Sequence, residues 1–136
     1  MPSLSDADRE TLVSTARTTV GDELRSITYF DETEEIDQVY LRGDLEADAD
    51  LVGFADTERL GFRAQTDYQD SELGPYQFTI RVFEGGYLTR VIVGDHGAFV
   101  TTDPMDLDRF EELGVALAGA LREIADDSTV ETTAGQ

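Results

Sequence analysis

The stretch YQFTIRVFEGGYLTRVIVGDHGAFVTT, residues 76–102, holds three runs rich in β-branched and aromatic residues, separated by two glycine-bearing breaks. Such residues favour extended backbone because their side chains suit a pleated, half-buried surface. Gly85-Gly86 and Gly94-Asp95-His96-Gly97 read as tight hairpin connections, where glycine and aspartate supply backbone angles that other residues resist. The stretch is expected to be a three-stranded antiparallel meander over 76–84, 87–93 and 98–102. Phe78, Ile80 and Val82 alternate with Thr79, Arg81 and Phe83, so one face can pack inward while the other carries charge.

On the C-terminal side, Asp103, Pro104 and Asp106 form a helix start: a cap, a proline at the first helical position and an acid in the first turn. The helix that follows has an apolar stripe of Leu107, Phe110, Leu113, Leu117, Ala120, Leu121 and Ile124. Gly114, Ala116, Ala118 and Gly119 would let another backbone approach it closely. DDSTVETTAGQ lacks any period, so residues 126–136 are expected to be a disordered acidic tail behind a single domain of residues 1–125.

On the N-terminal side, SITYF at 26–30 and IDQVYLR at 36–42 read as a hairpin around an acidic loop. SDADRETLVSTARTTV, residues 5–20, reads as an amphipathic helix capped by Ser5, with Leu12, Val13, Ala16 and Val20 on its apolar side. A further helix is expected over about 44–60, and a loop over 66–75.

The order α-β-β-α-β-β-β-α predicts an α+β fold, a single five-stranded antiparallel sheet with three helices. That order resembles roadblock/LC7 domains and, more widely, profilin, longin and PAS-like sheets. The resemblance implies a protein-interaction domain that pairs through a helix or a sheet edge. The succession of an opening helix, LRSITYFD, VYLR, YQFTIRVFEGG and a closing helix also resembles short uncharacterised haloarchaeal proteins, from which no activity carries over.

Composition narrows the function classes. The chain has 136 residues, no cysteine, and 30 Asp and Glu against 10 basic residues, all of them arginine, for a net charge of −20. Disulfides, thiolate metal sites and cysteine nucleophiles are excluded. Self-repulsion of this size is relieved when salt shortens the Debye length to about 3 Å near 1 M. Acid excess without lysine therefore points to a halophilic, haloarchaeal cytoplasm. Without a basic face, binding to a phosphate backbone is not expected, and no apolar run is long enough for a membrane span.

His96, the only histidine, sits beside Asp95 in a turn and lacks the nitrogen or sulfur ligands that zinc usually takes; with Asp103 it makes at most a weak oxygen-rich set. None of Ser3, Ser5, Ser14, Ser26, Ser71 and Ser128 stands in a nucleophile elbow. A Walker loop needs lysine, and no G-x-G-x-x-G opens a helix after a strand. DLEADAD, residues 44–50, lacks the mid-loop glycine and twelfth-position glutamate of a calcium loop, which would fall on Ala55.

The expectation is a non-catalytic protein-interaction or regulatory module with no cofactor and no metal. Its partners are expected to be itself, as a homodimer, and another protein, with no nucleic acid and no membrane. Phe83, Tyr87 and Phe99 on the sheet, and Gly114, Ala118 and Gly119 on the last helix, are the candidate interface. The alternative is a PAS-like small-ligand sensor with a pocket lined by Phe78, Ile80, Tyr29 and Leu51.

Overall fold

The computed structural model describes residues 4–32, 36–45 and 54–134. Helix α1 (Asp6–Val20) is capped by Ser5, whose side chain accepts the Asp8 N–H at 3.1 Å, and it ends at Gly21. A single 3₁₀ turn, Gly21–Glu23, leads into β1 (Leu24–Asp31), and β2 (Ile36–Leu41) follows. Next come α2 (Phe54–Arg59) and α3 (Gly61–Tyr68), then β3 (Phe78–Phe83), β4 (Gly86–Val93), β5 (His96–Thr102) and α4 (Leu107–Ala134). Leu60 keeps helical angles, φ −60° and ψ −17°, so α2 and α3 form one helical arm interrupted at a single residue.

The five strands form one antiparallel sheet in the order β2-β1-β5-β4-β3. Phe83 pairs with Gly86, so the first turn of the meander is Glu84-Gly85 and Gly86 is already strand. Val93 pairs with His96, so the second turn is Gly94-Asp95, with Gly94 at φ +60°. β2 and β3 are the edges. The β1–β2 pairing slips at Ile27/Thr28, whereas β3 runs six residues without an irregularity.

Both faces of the sheet are covered. On one, Leu12, Ala16 and Val20 of α1 and Leu113, Leu117, Leu121 and Ile124 of α4 pack on Leu24, Ile27, Tyr29, Val91, Ala98 and Val100. On the other, Ala55 of α2 and Phe62 of α3 lie over Phe30, Leu88, Ile92 and Phe99. Each such large side chain contributes about 1.5–3 kcal/mol when fully buried. The two-faced core explains why β1 and β4 are buried almost throughout.

The second helix differs from its expected span. Asp44 and Leu45 lie in a turn, residues 46–53 fall outside the described residues, and from Phe54 the described helical arm runs on to Tyr68, into the expected loop. Arg42 holds the Asp44 carboxylate at 2.7 Å, occupying the group that would have capped a helix there. Gly61 does not weaken the arm. It brings the helix against the sheet, where a Cβ would stand 2.5 Å from the Arg90 guanidinium carbon and 2.6 Å from Ile92. At the other end, α4 continues to Ala134, into the stretch whose composition suggested a tail, since extending a helix already anchored by its packed stripe adds a hydrogen bond for each residue fixed.

Candidate functional site

His96 opens β5, paired with Asp31 on one side and Val93 on the other. Its Nδ1 lies 2.7 Å from the Tyr29 hydroxyl, which comes from the middle of β1. Burial, followed by the charges of Asp31, Asp8, Asp95 and Asp37, pushes the Tyr29 phenol up to about 12. The phenol is therefore held protonated and suited to donate to the imidazole. Beside them the exposed Glu32 carboxyl, hydrogen-bonded to Asp95, is also raised.

Among the described residues no group of three or more His, Asp or Glu side chains could hold a metal ion. Three of the described serines are engaged in structural bonds: Ser5 caps α1, Ser26 shares a 2.6 Å bond with Thr101, and Ser71 donates to the Gly74 carbonyl. The histidine expected in a turn is thus the first residue of β5, where it meets a tyrosine and lies near carboxylates, and none of these three serines is its partner.

The most heavily bonded polar cluster lies on the opposite face. Glu58 of α2 is 2% exposed, and its Oε1 accepts from Arg90 Nη1 at 3.0 Å while its Oε2 accepts from Arg81 Nε at 2.7 Å. Arg90 donates also to Thr79 Oγ1 at 2.8 Å and stands over the Tyr76 ring, 5.7 Å from its centroid. Both carboxylate oxygens are engaged, so the chemistry of Glu58 is that of a clamp. The sequence reading missed it. The available signal was Arg90, a charge set among the apolar residues of a central strand, which requires a buried partner.

The six interface candidates separate. Phe99 is fully buried under α2, beside Phe30 and Phe54, because the helical arm covers the face that a partner was expected to cover. Tyr87 packs edge-on against Phe110 of α4 at 4.2 Å. Gly114 and Ala118 face inward, Gly114 so tightly that a Cβ would meet the Phe78 ring at 2.7 Å. Phe83, 49% exposed and stacked on Phe54, is the most open of the six, and Gly119 has open space beside it. Of the three small α4 candidates, two therefore serve its own sheet and one offers an outward approach. Of the expected sensor pocket, Tyr29 is core, Phe78 packs against that core, and Leu51 lies outside the described residues.

Phe83 belongs to a larger feature. Its neighbour Val82 is 71% exposed, and among the described residues no strand pairs with the outer edge of β3. Edge strands are ordinarily blunted by charge, proline or a bulge. β3 has neither proline nor bulge, and its one charge, Arg81, is drawn to Glu58 on the sheet face.

Residues 10–122, covering every described strand and most of the packed parts of α1 and α4, match the family described as Domain of unknown function (DUF7522). The chain belongs to that family. Solved structures similar to this DUF7522 member include one described as MglB with tetrameric arrangement, at a TM-score of 0.67 and 19% identity, covering 93% of this chain and 98% of that one. Myxococcus xanthus MglB is similar at 0.58 and 11% identity over 90% and 96%. The gliding protein MglB from Thermus thermophilus is similar at 0.51 and 16% identity over 90% and 98%. No curated protein matches the chain at a significant level. These likenesses bear out the expected roadblock-like fold. Among the described residues no helix is long and apolar enough to cross a membrane.

Proposed function

We propose that the chain is a non-catalytic, regulatory protein-interaction module of a halophilic cytoplasm, and that one of its partners is a second copy of itself. The observation that carries the reading is the free edge of β3. Along six residues it offers outward-pointing backbone groups that no strand among the described residues pairs, with Val82 and Phe83 exposed at its end. Strand addition at such an edge supplies main-chain hydrogen bonds, and exposed apolar side chains add burial. One structural relative is described as having a tetrameric arrangement, which supports testing self-association first. The clamp-like use of Glu58 and the place of His96 in the sheet, at the start of β5, support a role without catalysis.

The test is light scattering coupled to gel filtration in multimolar potassium chloride over a range of protein concentrations. The native chain is expected to associate, and Val82→Lys, which places a charge on the edge, is expected to yield monomer with unchanged circular dichroism. A native chain that stays monomeric at every concentration, or an oligomer indifferent to Val82→Lys, overturns self-association through this edge.

A further inference from the structure

A groove of about 860 Å³ runs between α1, α4 and the start of β3, lined by Thr18, Thr19, Gln77, Phe78, Glu111, Glu112, Val115 and Ala116. Val115 is 59% exposed and stands outside the core stripe of α4. Its helical neighbours on the groove side are Glu111 and Glu112; Gly119, one turn after it, has open space beside it. Phe78 forms part of the floor, seated on the bare backbone of Gly114. The Thr19 hydroxyl donates within α1 to the Thr15 carbonyl, so its proton is already committed.

From this arrangement we infer that the groove receives an amphipathic helix of another protein, with apolar residues against Val115 and Phe78 and arginine or lysine facing Glu111 and Glu112. Charge complementarity supplies the argument for the occupant. Among the described residues no arginine lines the groove, and the nearest ones in the sequence are committed elsewhere, Arg17 to Asp22 at 3.7 Å and Arg109 to Glu23 at 2.9 Å. An incoming cation would therefore meet the two carboxylates without a resident competitor, which favours orientation and partner choice. The low profile of Ala116 and Gly119 suits a close-packed helix, whose axis must come within about 8–10 Å.

Two other occupants fit less well. A small molecule needs convergent polar groups to orient it, and none of the buried polar atoms that lack a partner, on Thr28, Asp37, Gln38, Thr89 and Thr102, belongs to a residue lining the groove. A second copy crossing antiparallel so that Ala116 meets Gly119 would also set Glu112 against Glu123, in two chains of net charge −20 each.

The inference rests on reading the chain as an interaction module, and its test leaves the β3 edge untouched. The probe is a synthetic helical peptide with a leucine stripe flanked by arginines, titrated into the ¹⁵N-labelled full chain and followed by amide shifts and fluorescence anisotropy. The expected result is shifts centred on Thr18, Thr19, Gln77, Val115 and Ala116. Glu111→Gln/Glu112→Gln and Val115→Asp are each expected to weaken binding about tenfold, whereas Asp67→Asn/Glu84→Gln, remote from the groove, leaves it unchanged. Three results overturn the inference: no binding, equal weakening by the remote pair, which means diffuse attraction to an acidic surface, or oligomers lost in Val115→Asp without peptide, which makes a second copy the occupant. If Val82→Lys still abolishes self-association in those cases, the interaction module stands and only this surface fails.

Discussion

Glu58 and Arg90 meet at 3.0 Å across the interface between α2 and β4, both almost wholly withdrawn from water. Most carboxylates of this chain serve its charged surface, so this one is exceptional. A buried carboxylate is tolerated because the two guanidinium groups offset its lost hydration; removing it would leave Arg90 charged and without its counter-ion beneath the arm. Glu58→Ala is expected to cost about 3–5 kcal/mol. Glu58→Gln should cost less, since the amide oxygen still accepts a bond. Urea denaturation at fixed potassium chloride measures both, and a loss below about 1 kcal/mol in Glu58→Ala would show that the pair is no clamp.

Gly114 and Gly119 lie in the same helix and should respond oppositely to alanine. Glycine inside a helix costs about 1 kcal/mol relative to alanine, and at Gly119 nothing opposes that gain, so Gly119→Ala is expected to stabilise. At Gly114 a Cβ would press on the Phe78 ring at 2.7 Å, and overpacking of this kind costs about 1–3 kcal/mol. Gly114→Ala is therefore expected to destabilise. Melting temperatures of the two variants, measured side by side, check the contrast.

Net charge of −20 implies a strong and directional salt response. Raising potassium chloride screens repulsion among exposed carboxylates, while Glu58, Arg90 and the apolar cores lie where salt does not reach. The melting temperature should rise steadily from low to molar salt, and the stability difference between native and Glu58→Ala should stay nearly constant across the series. A flat native curve would contradict the first expectation, and a shrinking difference the second.

Two groups set the pH limits in opposite directions. The Tyr29 phenol, raised from 10.0 to about 12, keeps its proton in the folded chain after the unfolded chain has lost it. Its contribution is fully present below pH 10.0 and is lost as pH rises towards about 12. Tyr29→Phe should flatten that alkaline decline, and in the native chain one tyrosine should ionise late in ultraviolet titration. Asp103 is lowered, chiefly by its hydrogen bond from Arg42. Its contribution is present above the unfolded carboxylate range and is lost as pH falls through the depressed value. Asp103→Asn should remove part of the acid-side slope in stability measured against pH.

Much of the fold was legible in the chain itself. The meander of residues 76–102, the capped first helix and the stripe of α4 are encoded within a few residues of one another, by alternation, by Ser5 and by glycine-bearing turns. These are local signals, read by neighbours along the backbone. The helical arm was less legible, because its position depends on Gly61 resting against Arg90 and Ile92, residues far away in sequence.

What the sequence by itself determined was the strand and helix order, the acidic surface and the absence of cysteine and lysine chemistry. Only the tertiary structure decided which acid is buried, which strand is left at the edge and which small residues face outward. Glu58 looks like the other acids until β3 and β4 bring Arg81 and Arg90 beneath it. Phe99 and Phe83 both read as strand aromatics, yet one is covered by α2 and the other stands at a free edge. The physical reason is that burial and pairing are properties of the assembled sheet, set by the non-local order β2-β1-β5-β4-β3 and not by the residues adjoining each position.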